Sequence, residues 1–108
     1  MSDESYIRVA KLDDVALGAV IRVEVAGRAI ALYNLDGTLY ATDGICSHAY
    51  ASLAEGFVDG ETIECPLHGA TFSIKTGEAL TPPAVEPLAT YAVRVEGDDI
   101  LVAIPQKE

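Results

Sequence analysis

The sequence predicts an all-β chain built from short strands. Three observations carry that prediction. Apolar and polar residues alternate with a period of two along most of the chain, as in half-buried strands. Turn dipeptides rich in glycine and aspartate, such as Asp36-Gly37 and Gly97-Asp98, punctuate the alternating runs. Half of the 108 residues are hydrophobic, enough for one domain with a modest core.

The elements follow in order. Residues 6–9 alternate and form a first strand. Leu12-Asp13-Asp14-Val15 suggests a helical turn capped by an aspartate. Residues 20–25 place valine and isoleucine on one face and Arg22 and Glu24 on the other. Ala26-Gly27 turns the chain into a strand over 28–35, and Asp36-Gly37 is a two-residue hairpin signal that returns it over 38–42. Residues 49–55 are irregular or briefly helical. Residues 57–58 and 61–64 form a hairpin across Asp59-Gly60. Residues 71–74 and 78–80 pair across Lys75-Thr76-Gly77. Pro82 and Pro83 interrupt regular structure. Residues 88–95 and 100–104 close the chain as a hairpin around Gly97-Asp98. No internal repeat, linker or low-complexity tract is present. The long alternating strands lie in residues 1–42 and 84–108, which predicts a barrel or sandwich. Residues 43–83 are shorter in pattern and richer in loops.

All the cysteine and histidine of the chain lies in that middle part. Cys46-Ser47-His48 is followed, sixteen residues later, by Cys65-Pro66-Leu67-His68. Each box holds one thiolate donor and one imidazole donor in the same order, which chance placement explains poorly. As plain structure, the cysteines would be small buried hydrophobes and the histidines incidental loop residues. As ligands, two sulfurs and two nitrogens suit a structural zinc site, although one intervening residue in Cys-x-His is unusual for zinc. They also suit a mononuclear iron or copper site, or a [2Fe–2S] cluster with mixed ligation.

The two boxes, with Gly69 after the second, resemble the Rieske cluster-binding motif. The surrounding chain resembles the small Rieske-type ferredoxins of bacterial aromatic-ring dioxygenase systems. That resemblance includes Leu39-Tyr40-Ala41-Thr42-Asp43, Glu64-Cys65-Pro66-Leu67-His68, Phe72, Thr76-Gly77-Glu78-Ala79-Leu80 and the prolines Pro82 and Pro83. It implies a Rieske-type β-sandwich or barrel, with residues 43–83 inserted as a small cluster-binding subdomain. It implies one [2Fe–2S] cluster, with Cys46 and Cys65 on the inner iron and His48 and His68 on the outer one. Gly69 would let backbone pass close to the cluster and Pro82 and Pro83 would cover it as a lid, with ordinary turn chemistry as the alternative for both; Tyr50 and Leu67 would form an apolar rim, with local packing as the alternative.

Histidine ligation places the reduction potential in a class range of about −150 to +300 mV. High-potential relatives carry a disulfide between two extra cysteines and hydroxyl donors after the second box. The matching positions here are Ala51 and Leu67, then Ala70 and Phe72. Each missing donor lowers a one-electron potential by about 40–60 mV, and the carboxylates Asp43 and Glu64 push the same way. The expected midpoint, read by equilibrium redox titration, lies below about +100 mV.

The resemblance implies a diffusible one-electron carrier. It would take electrons from an NADH-dependent flavoprotein reductase and pass them to a terminal aromatic-ring-hydroxylating oxygenase. The alternative is a Rieske-type small subunit docked permanently in another redox enzyme, such as an assimilatory reductase. Composition agrees with a carrier. The formal charge of −10 disfavours nucleic acid, which needs a basic footprint, and suits basic patches on redox partners. No apolar run approaches the roughly 20 residues of a membrane span. The acidic start, Met1-Ser2-Asp3-Glu4-Ser5, lacks signal-peptide character, so a cytoplasmic location is expected. With both histidines committed to the cluster, no two-histidine-one-carboxylate iron site can form, and oxygen chemistry must lie on a partner. The chain is therefore expected to be an electron-transfer component and not an enzyme.

Overall fold

The computed structural model describes residues 4–45, 52–66, 69–81 and 87–105. Ten strands run through them: β1 (Glu4–Lys11), β2 (Val20–Val25), β3 (Arg28–Leu35), β4 (Thr38–Asp43), β5 (Phe57–Asp59), β6 (Thr62–Glu64), β7 (Thr71–Ser73), β8 (Thr90–Tyr91), β9 (Val93–Glu96) and β10 (Asp99–Pro105). They form three antiparallel sheets, ordered β1-β10-β9, β2-β3-β4-β8 and β5-β6-β7. The all-β expectation holds.

β3 organises the packing because it is buried on both faces. Ile30 and Leu32 face one apolar layer with Ala41, Tyr91, Ile100, Val102 and Ile104, which fills the space between the first two sheets. Ala31 and Tyr33 face a second layer with Leu53, Ile63, Phe72, Ile74 and Leu88, under the β5-β6-β7 sheet. Alternation along one strand thus feeds two cores. Asn34 is the polar exception on β3. Its amide donates to the Val15 carbonyl at 2.9 Å and its Oδ1 accepts from the Gly37 N–H at 2.9 Å, so it is buried with both ends satisfied. On β2 the expected faces appear for Ile21, Val23 and Val25, which meet the first core, while Arg22 and Glu24 form an ion pair at 2.8 Å on the other face; Val20 shares that other face and packs against the second core.

Asp36 and Gly37 both have positive φ (59° and 96°), as a two-residue hairpin loop of the predicted kind requires. Ala26 also stands at φ 52°, where a Cβ is strained. Ala26→Asn is expected to stabilise the fold by about 1 kcal/mol, read as a rise of roughly 4–8 °C in thermal midpoint.

Two local expectations are met and two are corrected. The turn after β1 is a 3₁₀ helix over Leu12–Asp14, and Asp14, at its end, reaches back to accept from the Lys11 N–H at 3.0 Å. Asp14 thus caps the turn as part of a capping box with Lys11, as the sequence suggested. The β5–β6 loop is Gly60-Glu61, because Asp59 pairs with Thr62 and Gly60 takes the left-handed position. Residues 78–80 pair with 71–73 across Lys75-Thr76-Gly77 as expected: Ala79 bridges Phe72, the Ser73 N–H donates to the Glu78 carbonyl at 2.9 Å and the Leu80 N–H to the Thr71 carbonyl at 2.8 Å. The predicted strand over 88–95 is split. β8 pairs with β4, β9 pairs with β10, and Ala92 between them still accepts from the Ala103 N–H at 2.9 Å. One strand thereby turns the corner between two sheets, which alternation alone cannot reveal.

Candidate metal centre

Each box lies in a loop whose base is pinned. β4 leads toward the first. There the Gly44 N–H donates to the Ala29 carbonyl (2.8 Å), Ile45 bridges Ser52, and the Leu53 N–H donates to the Gly44 carbonyl (2.9 Å). Cys46 and His48 fall between Ile45 and Ser52 in the sequence and lie outside the described residues, as do Tyr50 and Ala51. β6 and β7 deliver the second. Their last pair is Glu64 with Thr71, and the Cys65 N–H donates to the Ala70 carbonyl at 2.7 Å. Gly69 turns this loop at φ 72°. His68 and Leu67 lie outside the described residues, as do Pro82 and Pro83.

Cys65 is the predicted ligand that the structure describes. It is 1% exposed and belongs to the second core, with Ala70 and Phe72 both fully buried beside it in that apolar cluster. The positions that carry hydroxyl donors in high-potential relatives are thus apolar core here. The two loop bases are joined through Gly56. A Cβ at Gly56 would lie 2.0 Å from the Glu64 carbonyl oxygen and 3.3 Å from the Leu53 carbonyl oxygen. Backbone on the first loop's exit therefore presses directly on backbone at the second loop's entry.

A second anchor was not legible in the sequence. Asp43, where β4 ends, accepts from the Tyr91 hydroxyl at 2.6 Å and from the Ala89 N–H at 3.0 Å, and its own N–H donates to the Ala89 carbonyl at 2.9 Å. Arg28 donates to the Tyr91 oxygen at 3.4 Å. Asp43 thus ties the strand entering the first box to the strand that follows residue 86. The partners are 48 residues apart, and no local pattern marks them. Burial, with acceptance by Asp43, raises the Tyr91 phenol above its ordinary range.

Next to this clamp runs a buried hydroxyl chain. Thr42 Oγ1 donates to the Asp43 carbonyl at 2.8 Å, so the Tyr33 hydroxyl must be the donor in its 2.8 Å contact with Thr42. Burial pushes the Tyr33 phenol up to about 12 from 10.0, and the Asp43 carboxylate acts in the same direction. A raised folded-state value stabilises the protonated form. That contribution is complete below pH 10 and is lost as pH climbs toward 12, about 2–3 kcal/mol in all. Urea midpoints are expected to fall across this window in the wild type. Tyr33→Phe is expected to lower stability near neutrality by about 1 kcal/mol, through the lost hydrogen bond, but to flatten the alkaline decline.

Residues 5–92 match the Rieske [2Fe-2S] domain. The chain belongs to that family. The ferredoxin subunit of the 3-phenylpropionate/cinnamic acid dioxygenase of Escherichia coli (strain K12) is 47% identical over 96 residues, 88% of this chain and 90% of that protein. Among solved structures, the Sphingomonas yanoikuyae B1 ferredoxin superposes with TM-score 0.88 at 36% identity, over 94% of this chain and all of that one. A chain from the complex of reduced oxygenase and oxidised ferredoxin in carbazole 1,9a-dioxygenase superposes with TM-score 0.87 at 36% identity, over 95% of this chain and 96% of that one.

The family's cofactor is a Rieske-type [2Fe–2S] cluster, and the described residues fit it. A buried sulfur donor stands at the base of a closed loop, as a cluster thiolate requires. Among the described residues, no group of three or more His, Cys, Asp or Glu side chains is placed to hold a metal, so none competes with the two boxes. Among the same residues, no helix is long and apolar enough to cross a membrane.

Proposed function

We propose that the chain is a one-electron carrier between an NADH-dependent flavoprotein reductase and a terminal aromatic-ring-hydroxylating oxygenase, working in the cytoplasm. The end-to-end correspondence with a dioxygenase ferredoxin subunit carries this reading: chain and relative each cover about nine-tenths of the other. The bound cluster supplies one-electron chemistry at neutral pH. Cys46 and Cys65 hold its inner iron through thiolates, and His48 and His68 hold its outer iron through imidazole nitrogens.

Residues 43–83 act as the cluster-binding part, carried on strands supplied by 1–42 and 84–108. The pinned loop bases support this reading, because ligands on closed loops need little reorganisation when an electron arrives. The buried position of Cys65 supports an inner, water-shielded sulfur. The two histidines, on the loops beyond those bases, are the edge through which the electron leaves.

Reconstitution tests the proposal. The holoprotein is mixed with purified reductase and oxygenase components and NADH. Hydroxylated product is expected only when all three proteins are present. A chain that is instead a fixed subunit of another redox enzyme would co-elute with that enzyme on gel filtration, whereas a carrier elutes alone at working concentrations.

A further inference from the structure

The Asp43 carboxylate is held just before the first ligand box by donors that carry no charge. Both oxygens are used: Oδ1 accepts from the Tyr91 hydroxyl at 2.6 Å and Oδ2 from the Ala89 N–H at 3.0 Å. The Asp43 N–H donates in turn to the Ala89 carbonyl at 2.9 Å. Three bonds to one short segment fix the orientation of the side chain. That segment is itself held from the other side, where the Leu88 N–H donates to the Gly77 carbonyl at 2.7 Å. No ion pair among the described residues includes Asp43. The Arg28 guanidinium reaches it only through the Tyr91 oxygen, to which it donates at 3.4 Å.

This charge is close enough to act on a cluster. Asp43 stands three residues before Cys46, and three residues span at most about 11 Å. Asp43 is half-buried, whereas Glu64, the carboxylate before the second box, is exposed. Water and salt screen an exposed charge and screen a partly buried one much less. A cluster gains one negative charge on reduction, so a fixed carboxylate nearby disfavours the reduced form. The size of that effect depends on what offsets the carboxylate. Here it is the Tyr91 O–H dipole with Arg28 behind it, and hydrogen bonds in series strengthen one another. Tyr91 is 8% exposed, so water is poorly placed to take over the bond once the hydroxyl is gone.

We propose that Tyr91 is a positioning residue that sets the midpoint potential of the cluster by acting through Asp43. Its hydroxyl orients the carboxylate and offsets part of the negative charge, and so favours the reduced state. Arg28 acts in the same direction, one hydrogen bond further out. The inference rests on the ligation by Cys46 and His48 proposed above.

The test is an equilibrium redox titration of holoproteins at fixed pH and salt, with iron and acid-labile sulfide measured first. Asp43→Asn removes the charge. It is expected to shift the reduced-to-oxidised ratio at a given poise about tenfold toward reduced, a rise of about 59 mV. Tyr91→Phe keeps the charge and removes its donor. It is expected to shift the ratio about threefold the other way, a fall of about 28 mV. The two changes together are expected to match Asp43→Asn alone, because Tyr91 then has no charge to act on. A purely structural role would lower the urea midpoint of Tyr91→Phe and leave its potential at the wild-type value. Where Tyr91→Phe holds no cluster, Arg28→Gln, which leaves the Tyr91–Asp43 bond in place, is read by the same criteria. A potential that is unmoved or raised in Tyr91→Phe, or a fall that persists in the Asp43→Asn background, overturns the inference alone. A wild type without iron and sulfide overturns the ligation and this inference with it.

Discussion

Cys65→Ser is expected to yield a folded chain that holds little iron or acid-labile sulfide, and to cut electron delivery by at least about 100-fold. A serine hydroxyl resists deprotonation and is a hard donor, whereas iron–sulfur ligation depends on a soft thiolate. The second effect is on stability. Position 65 is 1% exposed among Ala31, Tyr33, Leu53, Ile63 and Phe72, so the new hydroxyl enters an apolar cluster. Replacing a weakly hydrated thiol by a strongly hydrated hydroxyl at this buried position costs about 1–3 kcal/mol. Metal analysis reads the first effect and urea unfolding the second. Full iron content in the serine variant would contradict the ligand assignment. Stoichiometric zinc with no sulfide in the wild type would contradict the cluster itself.

Gly56→Ala is expected to destabilise the chain by about 3–5 kcal/mol, among the larger values for a single methyl group. The backbone conformation is not the obstacle, since φ −87° is open to any residue. Space is the obstacle. The added carbon would lie 2.0 Å from the Glu64 carbonyl oxygen and 3.2 Å from its carbon, both backbone atoms that no rotamer change can move. Relief requires the β6 end to shift, and Cys65 follows directly after it. Iron content is therefore expected to fall together with the urea midpoint. Two other glycines separate the causes. Gly97→Ala meets nothing within 4 Å but carries φ +60°, so only strain remains, about 1 kcal/mol. Gly77→Ala meets the Leu88 carbonyl oxygen at 2.1 Å and also stands at φ +79°, so it is expected to match or exceed Gly56→Ala. A Gly56 variant with wild-type stability and iron would show that the two loop bases are not coupled through this contact.

Much of the fold was legible because it is written locally. β2 and β3 span the predicted residues, and β4 extends the predicted strand by one, since alternation and turn chemistry act over a few neighbouring residues. The larger correction has one cause. Where residues 88–95 change sheets at Ala92, the partner strands β4 and β10 are decided by packing far from the local pattern. The double burial of β3 was hidden for the same reason. An apolar run shows that a strand is covered, but not that two separate layers cover it.

The ligand boxes were visible because metal chemistry restricts residue type: two thiolates and two imidazoles in matched pairs have few other uses. What holds the boxes in place was not visible. Gly56 against Glu64, and Asp43 against Tyr91 and Ala89, leave no mark in composition or period. The sequence by itself therefore determined the all-β class and the family, and supplied the proposed donor set, because each depends on residue identity and short spacing. The tertiary structure alone decided which loops are braced and which carboxylate is a clamp. Those depend on contacts between residues tens of positions apart, which exist only once the sheets have packed.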